Sequence, residues 1–443
     1  MIERIEHRGS LVHECAQPGD TRADDVYPGH PNGIQVSARR FVLLFATRGY
    51  RGVDDARSII YQVRDGGFDG PVLREGRLVR SINDWDPFND GSAYVRQQSH
   101  VAGFGVPKGA LIRGQPVPHA NLFVVKWYRT MRIVDPATAF LRSARAHPDL
   151  TERTLGVEWV QFRLNDAEDD IEIVQPVQQL RQRGYEAGTA FCSAAVRWMN
   201  QSMVQAVRFN DDASEWADVN HFGGRLAALK YRYSPQRGVY EWVETGPLVG
   251  DQLSEASLAR YRGEWIISAR TGGEVAWIRA DDPFGPLPAV QYAAPDNHAP
   301  LTAYTCADGV LRLLGGDWQA SPYDNPRNPL YLWDIDPERG FAATNRREVY
   351  DSVKAGLPAP PDGPATAGKS PGWWWRHDMA KLLPHAGGHV QLIAHRIVHQ
   401  SMNDPGHTGL AVTPEEKDVH GLYYAAIHYS EAQPSPWQFA TDD

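Results

Sequence analysis

The fold of this chain is constrained most by one recurring unit, a short strand rich in aromatic and β-branched residues that runs into an Asp/Pro/Gly turn and resumes as a second strand. The unit is clearest in SIIYQVRDGGFDGPVL (58–73), ALKYRYSPQRGVYEWV (228–243), EVAWIRADDPFGPLPAV (274–290) and LYLWDIDPERGFAATNRREVY (330–350). Alternating apolar positions mark half-buried strands, and DGG, SPQRG, DDPFG or DPERG supplies the reversal, so each segment reads as a β-hairpin. Weaker members lie at 124–137, 157–174 and 196–216. A further strand precedes several hairpins: FVLLFATR, EWIISAR and VLRLLGGDW. About four antiparallel strands recurring along the chain are what a propeller blade requires, because radial repetition protects edges that an open sheet would expose. Dividing 443 residues among six units leaves about 74 each, so the expectation is an all-β, six-bladed β-propeller, with seven blades as the alternative.

Composition supports this. Forty glycines and 32 prolines punctuate the chain too often for long helices. SEASLARY (254–261) is helical by composition, but the following RGEWIISAR is a turn and strand, so both are read as strands of one blade. PVQQLRQRGYEAG (176–188) is read as a helical turn or two in a loop. The expected organisation is one propeller domain over 28–443, a closing segment over 1–27, and a Pro/Gly-rich excursion between blades at 356–372.

Several function classes are excluded at this level. With 45 basic against 54 acidic residues and no Lys/Arg-rich run, nothing offers to neutralise a phosphate backbone, so no nucleic-acid partner is expected. No apolar run approaches the roughly 18 residues of a membrane helix, so no membrane partner is expected either. The N-terminus has no apolar h-region, which points to a cytoplasmic protein or to a secreted one with its leader already removed. Three scattered cysteines, Cys15, Cys192 and Cys306, suit neither a disulfide framework nor a paired-cysteine zinc site. No H-E-x-x-H or C-x-x-C occurs and the glycines of HAGGH (385–389) argue against a helical histidine pair, so no metal and no cofactor is expected.

In a propeller the chemistry gathers where inner-strand ends and their loops meet at the axis. ATRGYRGVDDARS offers Arg48, Arg51, Asp54, Asp55 and Arg57 in one short loop, a mixture that can grip a sugar carboxylate and deliver a proton, or can simply pair with itself in solvent. LSEASLARYRGEWIISARTGG places Glu255 before one strand and Arg270 at the end of the next. Here the chain resembles the sialidase superfamily, whose pattern sets a glutamate before a strand, a tight turn (Arg262-Gly263), and a strand finishing in arginine. FATRGYRGVDDARSIIYQVRDGGFDGPV is similar to the segment that carries that family's acid/base aspartate, here Asp54 or Asp55, and NPRNPLYLWDID to the one that carries an arginine of its triad, here Arg327.

The resemblance spans about residues 28 to 350 and implies a six-bladed propeller in which arginines hold a substrate carboxylate, a tyrosine paired with a glutamate is the nucleophile, and an aspartate is the acid/base. The chain departs from the pattern at three places. GHPNG (29–33) stands where the first arginine is expected and puts His30 there; HAGGHVQLIAHRI puts His389 near the tyrosine position; and the repeated S-x-D-x-G-x-T-W boxes are absent. The sequence thus leads to a carbohydrate-active enzyme that hydrolyses a glycosidic bond to a carboxylate-bearing sugar, with an oligosaccharide or polysaccharide as its substrate. Asp54 or Asp55 would be the acid/base, Glu255 the partner of the nucleophile, and Arg48, Arg51, Arg270 and Arg327 the anion-binding groups. The alternative is a lyase that removes the proton α to a uronate carboxyl with His30, His100 or His389 and a tyrosine, in fainter likeness to the propeller polysaccharide lyases. A third reading is a non-catalytic propeller that binds glycan or protein. The three tryptophans of GWWWRHD (372–378) suit either sugar stacking or packing between blades.

Overall fold

The apolar alternation of the hairpins is realised as antiparallel strands in the computed structural model, which describes residues 1–11, 27–37, 39–48, 56–79, 93–106, 111–112, 115–116, 121–133, 150–180, 197–199, 202–209, 224–234, 236–297, 299–360, 366–383, 385, 387–399 and 421–434. Strand β1 (Ile2–Leu11) is set aside by the chain for last use. Blade I then follows as β2 (Tyr27–Ser37), β3 (Arg40–Arg48), β4 (Ala56–Asp65) and β5 (Val72–Val79). Blade II is β6 (Ala93–Val106), β9 (Asn121–Ile133), β10 (Leu150–Leu164) and β11 (Ile171–Leu180), with the small hairpin β7 (Leu111–Ile112) and β8 (Gln115–Pro116) inserted after its first strand. Blade III is β12 (Arg197–Met199), β13 (Ser202–Phe209), β14 (Gly224–Ser234) and β15 (Val239–Thr245), with β16 (Val249–Leu253) also pairing β14.

Blade IV is β17 (Ala256–Tyr261), β18 (Glu264–Ala269), β19 (Glu274–Ala280) and β20 (Gln291–Asp296). Blade V is β21 (Thr302–Thr305), β22 (Leu311–Gly315), β23 (Leu330–Asp336) and β24 (Ala342–Tyr350). Blade VI takes β25 (Trp375–Leu382), β26 (Gly388–His399) and β27 (Gly421–Gln433) from the end of the chain and receives β1 as its outermost strand. Ile2 sits opposite Tyr429 and Leu11 opposite Leu422, so the two ends of the chain close the ring within one sheet. Six blades are present among the described residues.

Packing between blades explains why many strands read as continuous apolar runs rather than strict alternation. Val42 and Leu44 turn toward Val160 and Phe162 of blade II, while Phe41, Leu43 and Phe45 of the same strand turn toward Leu383 and Ala394 of blade VI. Both faces are buried, as in any sheet covered on two sides. Blades IV and V meet through Trp277, which stacks on Phe341 with centroids 4.8 Å apart. Trp374 and Trp375 are buried against blades V and VI, and the Trp375 indole N–H donates to the Pro358 carbonyl at 2.7 Å, so these two rings pack rather than meet solvent.

The two-residue turn Arg262-Gly263 has φ of 48° and 88°, the doubly left-handed geometry of a type I′ hairpin whose twist matches its strands. Glycine is at ease there. Three expectations are corrected. Residues 124–133 belong to the single strand β9 rather than to a hairpin; residues 176–180 extend β11 rather than starting a helix; and the turn after β19 spans ten residues, 281–290, rather than a tight reversal. Pro176 is tolerated in β11 because this is the free edge of its sheet, and the pairing to β10 shifts register at Gln161 opposite Gln175.

Candidate functional site

Antiparallel order within each blade puts the start of its first strand and the turn between its second and third strands at the same end. Glu255 directly precedes β17 and Arg270 directly follows β18, so the hairpin brings them side by side: Ser254 N–H donates to the Arg270 carbonyl and Arg270 N–H to the Glu255 carbonyl, both at 2.9 Å. The side chains complete the pair, with Arg270 Nη1 3.0 Å from Glu255 Oε1 and 3.3 Å from Oε2. Arg327 lies in the corresponding turn of blade V, between β22 and β23. Its guanidinium is 2.9 Å from Asp378 Oδ1 on β25 of blade VI.

Asp378 faces Arg396 across the β25–β26 register, and Arg396 Nη2 donates to Asp378 Oδ2. Asp378 and Arg396 are 3% and 1% exposed, whereas Arg270 and Arg327 keep 11% and 15%, so the two outer arginines remain reachable while the inner pair does not. Burial pulls the Arg270 guanidinium below its ordinary value; Glu255 raises it, Arg327 lowers it again, and Asp378 raises it. Arg270 therefore feels both members of the Arg327–Asp378 pair, and blades IV, V and VI contribute to one electrostatic cluster. Among the described residues it holds three guanidiniums against two carboxylates, a net charge of one positive unit in a poorly solvated place. Such a cluster suits an incoming anion, because a guanidinium fork binds carboxylates bidentately and low polarity strengthens the contact.

The Arg327 turn is built to hold its place. Asn325 Oδ1 accepts from the Arg327 N–H at 3.0 Å, and Asn325 Nδ2 donates to the carbonyls of Gly372, Trp373 and Trp375. His377 N–H donates to the Arg327 carbonyl at 2.8 Å. These bonds knit the turn to the excursion that leads into β25, which explains why GWWWRHD is buried beside the site.

Of the residues singled out in the sequence, Glu255, Arg270 and Arg327 are brought together. Arg51, Asp54 and Asp55 lie outside the described residues. Arg48 ends β3, His30 lies in β2 and His100 in β6, all described for their backbone alone. His389 is held apart: it sits at the start of β26 with Nδ1 3.1 Å from the Tyr429 carbonyl, seven residues and thus roughly 23 Å along the strand from Arg396. His385 of HAGGH accepts from Gly387 N–H through Nδ1, and no helix occurs among the described residues of the segment. No cluster of three metal-ligating side chains occurs among the described residues. Sequence reading missed Asp378 and Arg396, whose meeting depends on cross-strand register rather than on any local motif.

No protein-family model matches the chain, and no curated protein sequence does. Solved structures do match. The NanB sialidase of Streptococcus pneumoniae aligns over 95% of this chain and 71% of its own at 10% identity, with a TM-score of 0.50. The fold is a sialidase-like β-propeller. A Hadza microbial sialidase aligns over 92% of this chain and 67% of its own at 12% identity with a TM-score of 0.48, and an α-L-arabinanase of Penicillium chrysogenum over 97% and 98% at 8% identity with a TM-score of 0.44. Within the sialidase-like propeller described here, a third guanidinium comes from Arg396 on the last blade, and the inner strand of that blade presents Asp378 beside Arg327.

Proposed function

We propose that this sialidase-like propeller is a glycoside hydrolase that removes a carboxylate-bearing sugar from an oligosaccharide or polysaccharide. The observation that carries the reading is the excess, among the described residues, of guanidinium over carboxylate where blades IV, V and VI meet, with Arg270 and Arg327 on its more exposed side. These two forks grip the sugar carboxylate, and Arg396 supports them from behind through Asp378. Glu255, beside Arg270, takes the proton of the attacking hydroxyl as its oxygen bonds to the sugar, and returns it when water displaces that oxygen. Asp54 or Asp55 delivers a proton to the departing glycosidic oxygen and takes one back from water afterwards. Fixed charges of this kind act strongly because little water competes with them.

The test is turnover of a panel of aryl glycosides, acidic and neutral, by the wild-type protein and by Arg327→Ala. The expected result is release of the aryl group from acidic glycosides alone, with kcat/KM falling roughly 10- to 150-fold in the variant, as for a charge-assisted contact of about 1.5–3 kcal/mol. Equal turnover of neutral glycosides overturns the proposal. So does a near-ultraviolet-absorbing unsaturated sugar formed from a uronate polymer, since elimination creates that double bond and hydrolysis does not.

A further inference from the structure

One buried residue, His377, ties the Arg327 turn to β25 through both its main chain and its ring. His377 is 3% exposed, directly precedes Asp378 on β25, and gives its main-chain N–H to the Arg327 carbonyl at 2.8 Å. Its ring reaches the neighbouring residue of the same turn, with Nε2 3.0 Å from Asn328 Oδ1. The chemistry of Asn328 fixes which atoms carry hydrogen. Asn328 Nδ2 lies 2.7 Å from the Gly372 carbonyl, which can only accept, and Asn328 Oδ1 takes the Ser352 N–H at 3.3 Å, which can only donate. The atom facing His377 is therefore the amide oxygen, and His377 Nε2 carries the hydrogen.

The other ring nitrogen, Nδ1, is buried and has no hydrogen-bond partner among the described residues. The ring packs against Tyr350 and His395, with centroids 4.8 Å and 5.5 Å away. Protonating Nδ1 would set a charge among apolar rings. Burial accordingly pushes the His377 imidazole down to about 3, with His7 pushing the same way and Asp378 opposing. The ring is a neutral donor with a single tautomer, held by its hydrogen bond to Asn328 and by packing against Tyr350 and His395.

We propose that His377 is a positioning residue: as a neutral Nε2–H imidazole it clamps the Arg327 turn to β25 and so sets the Arg327–Asp378 geometry that receives the sugar carboxylate. This rests on the acidic-sugar reading for its consequence and on the hydrogen-bond geometry for its mechanism. His377→Phe keeps the ring and removes the donor, whereas His377→Gln restores an N–H near the Nε2 position. With acidic aryl glycosides, His377→Phe should raise KM on the order of 10- to 100-fold with a smaller change in kcat, the scale of effect of misplacing a binding group by about 1 Å. His377→Gln should recover to within about threefold.

A loss of thermal stability with unchanged KM in His377→Phe, or no recovery in His377→Gln, overturns the positioning role. Crystal structures of the two variants give a readout independent of any substrate. Arg327 displaced from Asp378 in His377→Phe and restored in His377→Gln supports the role; an undisturbed pair in His377→Phe overturns it. If the pair is displaced while the wild-type protein turns over no acidic glycoside, the positioning role stands and the acidic-sugar reading fails.

Discussion

Asp378 shows how much a single residue governs at this site. Its two oxygens are shared between Arg327 and Arg396, and it is almost entirely removed from water. Replacing it by Asn leaves two guanidiniums near the axis without their carboxylate, and breaking a buried pair from one side costs about 3–5 kcal/mol. Asp378→Asn should therefore lower stability by that order in a denaturant titration, whereas Glu241→Gln, whose partner Arg237 is 63% exposed, should change it by about 0–1 kcal/mol. Equal losses would mean that the cluster is not an electrostatic unit. Glu255, Arg270 and Arg327 were legible in the sequence because each sits at a strand end in a spacing that resembles the sialidase pattern, Glu255 before a strand, Arg270 at the end of the next just ahead of Gly272-Gly273, and Arg327 after Pro326. Asp378 and Arg396 were not, because eighteen residues separate them and only the β25–β26 register makes them neighbours. His389, a histidine beside glycine that suggests a loop at the axis, lies at the far end of its strand from Arg396, where Nδ1 meets the Tyr429 carbonyl.

At the level of elements, the hairpins were readable because turn residues and alternation agree, as in Tyr261-Arg262-Gly263-Glu264, where the pairing closes across two left-handed residues. The stretch at 176–180 was not, because glutamines and a proline disguise an edge strand whose partner lies on one side only. Contacts between blades carry no local signature at all. Trp277 and Phe341 stack with planes 7° apart although they are 64 positions apart in the chain (341 − 277). Trp277→Ala should cost about 3–5 kcal/mol, the usual loss for truncating a fully buried indole, and Phe341→Leu should cost less because it keeps most of the volume. Calorimetric unfolding checks this, and a loss below about 1 kcal/mol for Trp277→Ala would show that blades IV and V do not depend on the stack.

On the scale of the whole molecule, β1 closes the ring and brings His7 to a row of rings formed with Tyr350, His395 and Tyr423, beside His377. Burial lowers His377 to about 3 and His7 to about 4, and drives His395 well down as well. These imidazoles are neutral in the folded chain and titrate near 6.5 when it unfolds, so the unfolded state binds more protons below that value. Stability should be fully present above about pH 6.5 and fall as the pH drops toward 4, by up to roughly 1.4 kcal/mol per pH unit for each such ring. Between pH 6.5 and 5 ordinary carboxylates contribute little, so thermal melts in that window isolate the effect. His395→Phe should flatten the slope there, and an unchanged slope would place the acid sensitivity elsewhere. Six closed blades also explain how residues from three sheets can share one charge balance near the axis, which is the central claim. Its most direct test is calorimetric titration of the wild-type protein with glucuronic acid and with glucose, at low salt and at 0.5 M salt. The acid is expected to bind at least about tenfold tighter at low salt, the least expected of a charged hydrogen bond, and Arg327→Ala to abolish the difference. Equal affinity for the two sugars, or a preference for the acid that survives in Arg327→Ala, would contradict it.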